Sequence, residues 1–181
     1  TMELWGHAPS TFAVQIKPPI GQFSGMIEAR FSENRTLNFL LNNSTVNIIS
    51  ELVERSTGDE LMFFRFINPA QGLWTVRVIQ QSDNPSSFDI WLPMEEFNDA
   101  GAVFLEPDPN ITICEPGNAA NVITFAGSSI TGDVLYVNSS RGYTRNGRVK
   151  PDLTAPAVEV YTAMPSERIQ QYGRATGTSM A

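Results

Sequence analysis

Along the first 110 residues, apolar and polar side chains alternate with a period of two over short runs separated by turn residues, the pattern of strands with one buried face. Phe12, Val14 and Ile16 alternate up to Pro18-Pro19-Ile20-Gly21. Leu37, Phe39 and Leu41 do so up to Asn42-Asn43-Ser44, and Val46 and Ile48 resume beyond, which predicts a hairpin. Residues 60–67 and 73–79 form a further pair, joined by Asn68-Pro69-Ala70-Gln71-Gly72, whose proline and glycine set a turn. With the runs at 25–31, 88–92 and 102–105 this makes about eight strands at roughly 10- to 12-residue spacing, the signature of an antiparallel sandwich of the jelly-roll kind. Helical periodicity is nearly absent, and no internal repeat is visible.

The pattern changes after Glu106-Pro107-Asp108-Pro109-Asn110, where two prolines favour an extended connector. A boundary here divides the chain into residues 1–110 and 111–181. Beyond it, Asn121-Val122-Ile123-Thr124-Phe125-Ala126-Gly127 and Ala157-Val158-Glu159-Val160-Tyr161 are short, almost continuously apolar runs. Such runs suit strands buried on both faces of an α/β sheet. The expected fold is therefore mostly β, an antiparallel jelly-roll sandwich followed by part of an α/β domain.

Composition narrows the function classes. At 181 residues the chain is long enough for a substantial core. Its 41% apolar and 17% charged residues exclude a disordered segment or a coiled coil. No apolar run reaches about 18 residues, and Thr1-Met2-Glu3-Leu4-Trp5-Gly6-His7 has no signal-peptide character, so no membrane partner is expected. Charge is uneven: residues 1–110 carry six Lys/Arg against fourteen Asp/Glu, net −8, and residues 111–181 carry six against five, net +1. An acidic first part argues against nucleic acid, whose phosphates need a basic face. The one basic cluster, Arg141, Arg145, Arg148 and Lys150, reads as a solvated turn segment. The single cysteine, Cys114, can make no internal disulfide and reads as a small buried hydrophobe. Asp83, Asp89, Glu95, Glu96 and Asp99 lack calcium-loop spacing, and no metal or cofactor is expected. Sequons such as Asn34-Arg35-Thr36 and Asn110-Ile111-Thr112 are common by chance in a chain rich in Asn, Ser and Thr.

The most informative residues are Gly177-Thr178-Ser179-Met180-Ala181. A five-letter match of this kind arises by chance on the order of once in ten thousand chains of this length. Here the sequence resembles the subtilisin-like serine proteases, whose nucleophile lies in a G-T-S-M-A motif. Upstream, Lys150-Pro151-Asp152-Leu153-Thr154-Ala155-Pro156 resembles the family's K-P-D-(L/I)-x-A-P segment. Pro116-Gly117 followed by the 121–127 run resembles its "P-G … V-I-T-V-G-A" strand. Phrases of the first part, Glu3-Leu4-Trp5-Gly6, Phe12-Ala13-Val14-Gln15-Ile16, Gly72-Leu73-Trp74-Thr75 and Trp91-Leu92-Pro93, resemble the jelly-roll insertion of clostridial-type subtilases, including spore germination proteases. The resemblance implies that residues 111–181 are the C-terminal part of a subtilase catalytic domain. It implies Ser179 as the nucleophile, with Gly177 and Thr178 supporting the motif, and hydrolysis of a peptide or protein substrate through an acyl-enzyme. A secreted, cell-envelope or spore-associated bacterial protein follows from it.

A serine needs a histidine base oriented by a carboxylate, and the family order is Asp, His, Ser. The single histidine, His7, sits in Trp5-Gly6-His7-Ala8-Pro9, unlike the family's histidine motif, and reads as a surface or loop-edge residue. Only Glu3 precedes it among carboxylates, and Gly117-Asn118 does not match the family's A-x-G-N oxyanion motif. Ala157 stands where the family has Gly after A-P, at a cost of about 1 kcal/mol if the backbone there needs a positive φ. The expectation is a fragment of a larger subtilase, inactive alone, whose partner is the rest of the catalytic domain and whose exposed strand edges invite self-association. The competing expectation is a β-sandwich binding module of a pseudo-protease, with Trp5, Trp74 and Trp91 as stacking platforms, although tryptophans in strands are more often core.

Overall fold

A computed structural model describes residues 1–83, 85–94, 97–98, 101–131, 133–165 and 172–181. Glu95, Glu96 and Asp99 of the carboxylates considered above lie outside the described residues. The chain divides into two compact units, Thr1–Phe104 and Leu105–Ala181.

The first unit is an antiparallel two-sheet sandwich. Its strands are β1 (Met2–Gly6), β2 (Phe12–Lys17), β3 (Ile27–Glu28), β4 (Glu33–Phe39), β5 (Ser44–Glu51), β6 (Glu60–Ile67), β7 (Thr75–Gln80) and β8 (Phe88–Trp91). One sheet has the order β4-β5-β6-β1-β8 and the other β3-β2-β7. The period-two pattern is what closes the core: Met2 and Leu4, Val46 and Ile48, and Met62 and Phe64 point inward from the larger sheet, to meet Val14, Ile16 and Ile27 from the smaller. Register brings these rows together, with Leu4 opposite Met62 and Ile48 opposite Phe64. β4 and β5 form the expected hairpin, closed by a 3-10 turn at Leu40–Asn42 and by Asn43 at φ +48°.

Three expectations fail here for physical reasons. β6 and β7 are not a hairpin, because β6 already has β5 and β1 on its two edges while β2 offers β7 a free one. The linker instead crosses between sheets: Ser44 Oγ donates to Asn68 O and accepts from Ala70 N–H, and the Trp74 indole donates to Ala70 O at 3.0 Å. Residues 102–105 form no strand, and Val103 and Leu105 are each 78% exposed. The eighth strand is β1, whose Met2/Leu4/Gly6 alternation was the legible signal. The 25–31 run contributes only the two residues of β3.

Glu60 is the exception to an apolar interior. It points inward from β6 opposite Gly6, and its Oε2 accepts from the Phe12 N–H at 2.9 Å, whereas Oε1 has no partner among the described residues. Gly6 is required there, since a Cβ would stand 2.5 Å from the Phe12 ring. Burial pushes the Glu60 carboxyl up to about 7, against the pull of that single hydrogen bond. The folded state therefore holds a proton that the unfolded chain releases from the ordinary value of 4.5 upward. Stability contributed by this group falls as pH rises from about 4.5 through about 7, by up to about 3 kcal/mol. Glu60→Gln is expected to flatten the pH dependence of urea unfolding over that window. An unchanged slope would show that Glu60 does not titrate there.

The second unit contains β9 (Phe125–Ser128), β10 (Leu153–Pro156), β11 (Val160–Ala163) and β12 (Tyr172–Ala175). β9 and β10 pair in parallel, from Leu153 opposite Phe125 to Pro156 opposite Ser128, and β11 and β12 form an antiparallel pair. The 121–127 run is thus only partly a buried strand: Ala126 to Ser128 are buried, but Ile123 is 71% exposed. The 157–161 run is not one strand either, because Glu159 at φ +51° breaks the extended chain between a buried Ala157 and β11. Among the described residues no helix is long and apolar enough to cross a membrane.

Candidate functional site

Lys150, Pro151 and Asp152 anchor the parallel pair. The Lys150 ammonium is buried, donating to the Val122 carbonyl and to Asp152 Oδ2. Asp152 Oδ2 also accepts the Thr124 N–H at 2.7 Å, and Asp152 N–H returns a bond to Thr124 O at 2.9 Å. The Lys150 hydrogen bond, followed by the Thr124 N–H, holds the Asp152 carboxyl below the usual carboxylate range. The basic cluster is therefore not uniformly solvated: Lys150 is 6% exposed and pins the start of β9 to the start of β10. Arg148 is likewise engaged, donating to Asn118 O at 2.6 Å.

Where β10 ends, Ala157 takes over. It is fully buried, its N–H donates to Ser128 O at 2.8 Å, and its carbonyl accepts the Gly177 N–H at 2.8 Å. Its φ is not positive, so the strain expected from Ala in place of Gly does not arise. Room for its methyl comes from Gly127, which has no Cβ to oppose it. Between Ala157 and Gly177 the chain makes the β11–β12 pair, held by a Tyr161–Tyr172 stack with centroids 5.6 Å apart and an exposed Arg174–Glu159 ion pair at 2.8 Å. The Glu159 N–H bonds Thr176 Oγ1 at its base.

The chain then enters a 3-10 turn at Thr178–Met180, which lies against β9. Met180 N–H bonds Gly177 O at 3.0 Å, and Ala181 N–H bonds Thr178 O at 3.2 Å. Ser179 is exposed at the middle of this turn. Neither its hydroxyl nor its backbone N–H has a hydrogen-bond partner among the described residues. The turn thus presents an accessible hydroxyl together with a free backbone donor, the two groups that an acyl-transfer nucleophile must offer.

The remaining candidates lie elsewhere. His7 belongs to the first unit, where its Nε2 meets Asp89 Oδ2 at 3.0 Å, a partner 82 residues away that no local pattern could reveal. Trp74 packs edge-on against Phe39 and Phe66, and the Trp5 indole donates to Glu3 Oε2 at 3.0 Å. Trp5, Trp74 and Trp91 are all half-buried. Cys114 is exposed, not buried, because it sits in the turn whose Cys114 carbonyl accepts the Gly117 N–H. Among the described residues, no group of three or more His, Cys, Asp or Glu side chains is placed to hold a metal.

A parallel strand pair thus leads through Ala157 to a glycine-entered serine turn. Residues 98–181 match the Peptidase_S8 model, the subtilase family. Among solved structures, the chain is similar to the CspB protease of Clostridium perfringens, with a TM-score of 0.77 and 23% identity. The match covers 99% of this chain and 37% of that one, so the likeness of fold extends through the sandwich while the chain spans 37% of the protease's length. No curated protein matches the chain.

Proposed function

We propose that this chain is the nucleophile-bearing portion of a subtilisin-like endopeptidase that hydrolyses peptide bonds through an acyl-enzyme on Ser179. The observation that carries the reading is the exposed Ser179 on a turn secured to Ala157, with hydroxyl and backbone N–H both unengaged among the described residues. Ser179 Oγ would attack the scissile carbonyl, and its N–H would donate to the oxygen that becomes negative. Gly177 and Thr178 set the entry to the turn.

The base and its orienting carboxylate would come from the remainder of the catalytic domain. Support for that partner lies in the β9–β10 pair, a two-stranded parallel sheet whose β9 edge meets only a single bridge, Ser128 to Leu135, and whose β10 edge meets no strand among the described residues. Parallel sheets are normally covered on both faces, yet Phe125 and Leu153, paired at the start of this ladder, are 45% and 54% exposed. Without base and carboxylate, the 181-residue chain by itself would turn over no substrate.

The test is fluorophosphonate labelling of the full-length protein beside the isolated chain. The full-length protein is expected to label at a single serine within Gly177-Thr178-Ser179, and the isolated chain is expected to stay unlabelled. Labelling of the isolated chain would show that no further domain is needed. A folded but inert full-length protein would favour a pseudo-protease whose sandwich serves as a binding module.

A further inference from the structure

We propose that Gly127 and Ala157 form a positioning pair that sets the location of the nucleophile turn, an inference that rests on the assignment of Ser179 above. A Cβ built on Gly127 stands 2.7 Å from the Ala157 Cβ, closer than real Cβ atoms approach. Gly127 cannot give way. Its N–H donates to the buried Ser139 hydroxyl at 2.9 Å, its carbonyl accepts the Tyr136 N–H at 2.9 Å, and the Tyr136 side chain stands only 3.3 Å from the same Cβ position. On the sheet side it is held opposite Ala155 in the β9–β10 ladder.

Any side chain at 127 therefore displaces Ala157, and Ala157 cannot move alone. Its N–H is tied to Ser128 O, and its carbonyl holds the Gly177 N–H, two residues before Ser179. A shift of Ala157 is transmitted through that one hydrogen bond to the turn carrying the hydroxyl. Acyl transfer is sensitive to such shifts, because a misplacement of about 1 Å can cost roughly a hundredfold in rate. Neither residue touches the reacting atoms, so both act through Gly177.

The test is a double-mutant cycle in the full-length protein, read as the second-order rate of fluorophosphonate labelling and as kcat and KM on a peptide substrate. Gly127→Ala is expected to slow labelling by about 10- to 100-fold, with kcat falling and KM changing by less than about threefold. Gly127→Ala/Ala157→Gly moves the methyl from one side of the contact to the other and is expected to label within about threefold of Ala157→Gly alone. A merely structural role would lower the unfolding midpoint without this reciprocal rescue of rate. Should Gly127→Ala fail to fold, the double variant decides: labelling within about tenfold of the unsubstituted protein supports the pair, and loss of labelling overturns it. A double variant no faster than Gly127→Ala also overturns it, while leaving the Ser179 assignment standing. No labelling of the unsubstituted protein overturns that assignment, and this inference with it.

Discussion

Replacing Ser179 with alanine is expected to lower kcat/KM of the full-length protein on a peptide substrate by about 10⁴- to 10⁶-fold and to abolish fluorophosphonate labelling. The magnitude follows from chemistry. Without the hydroxyl no acyl-enzyme forms, and what remains is the binding and oxyanion stabilisation that outlast loss of a triad member. The substitution is isosteric enough to leave the turn intact, since the Thr178–Met180 turn is held by the Met180 and Ala181 N–H groups and not by the Ser179 side chain. An exposed serine of the sandwich, Ser56, provides the control, and Ser56→Ala is expected to leave kcat/KM unchanged. Retention of activity within tenfold in Ser179→Ala would place the nucleophile elsewhere.

Phe64→Ala is expected to destabilise the sandwich by about 3–5 kcal/mol. Phe64 is fully buried at the middle of β6, opposite Ile48 on one side and Met2 on the other. Removing the ring leaves a void lined by residues from both sheets, which β-sheet hydrogen bonding prevents from collapsing. Phe31, 69% exposed, is the matched control, and Phe31→Ala is expected to change stability by less than about 0.5 kcal/mol. All three tryptophans, Trp5, Trp74 and Trp91, lie in the first unit, so fluorescence during urea unfolding reports on the sandwich alone. A loss below about 1 kcal/mol for Phe64→Ala would mean that the two sheets do not pack through this residue.

Much of the sandwich was legible because its signal is local. The strand containing Phe12, Val14 and Ile16, and the hairpin flanking Asn42-Asn43-Ser44, follow from alternation and turn chemistry within a dozen residues. Errors arose where pairing competes at long range. β7 leaves its sequence neighbour because β6 is already paired on both edges, a fact about β1 and β5 that the linker cannot encode. Residues 102–105 have the apolar composition of a strand, but Val103 and Leu105 are each 78% exposed and pair with no strand among the described residues. At the site, the serine and the K-P-D segment could be found by their letters. The burial of Lys150, the exposure of Cys114 and the contact between Gly127 and Ala157 could not, because each depends on what stands across from the residue.

Sequence alone determined the β class, the change of pattern between the two parts, and the serine motif on which the proposed chemistry rests, since periodicity, turn residues and motif spacing are properties of neighbouring positions. Tertiary structure decided which strands share a sheet, which charged groups are buried, and what holds the serine in place. Those outcomes rest on edge pairing, desolvation and steric contact between residues tens of positions apart, as Gly127 and Ala157 are, and such terms exist only once the chain has folded.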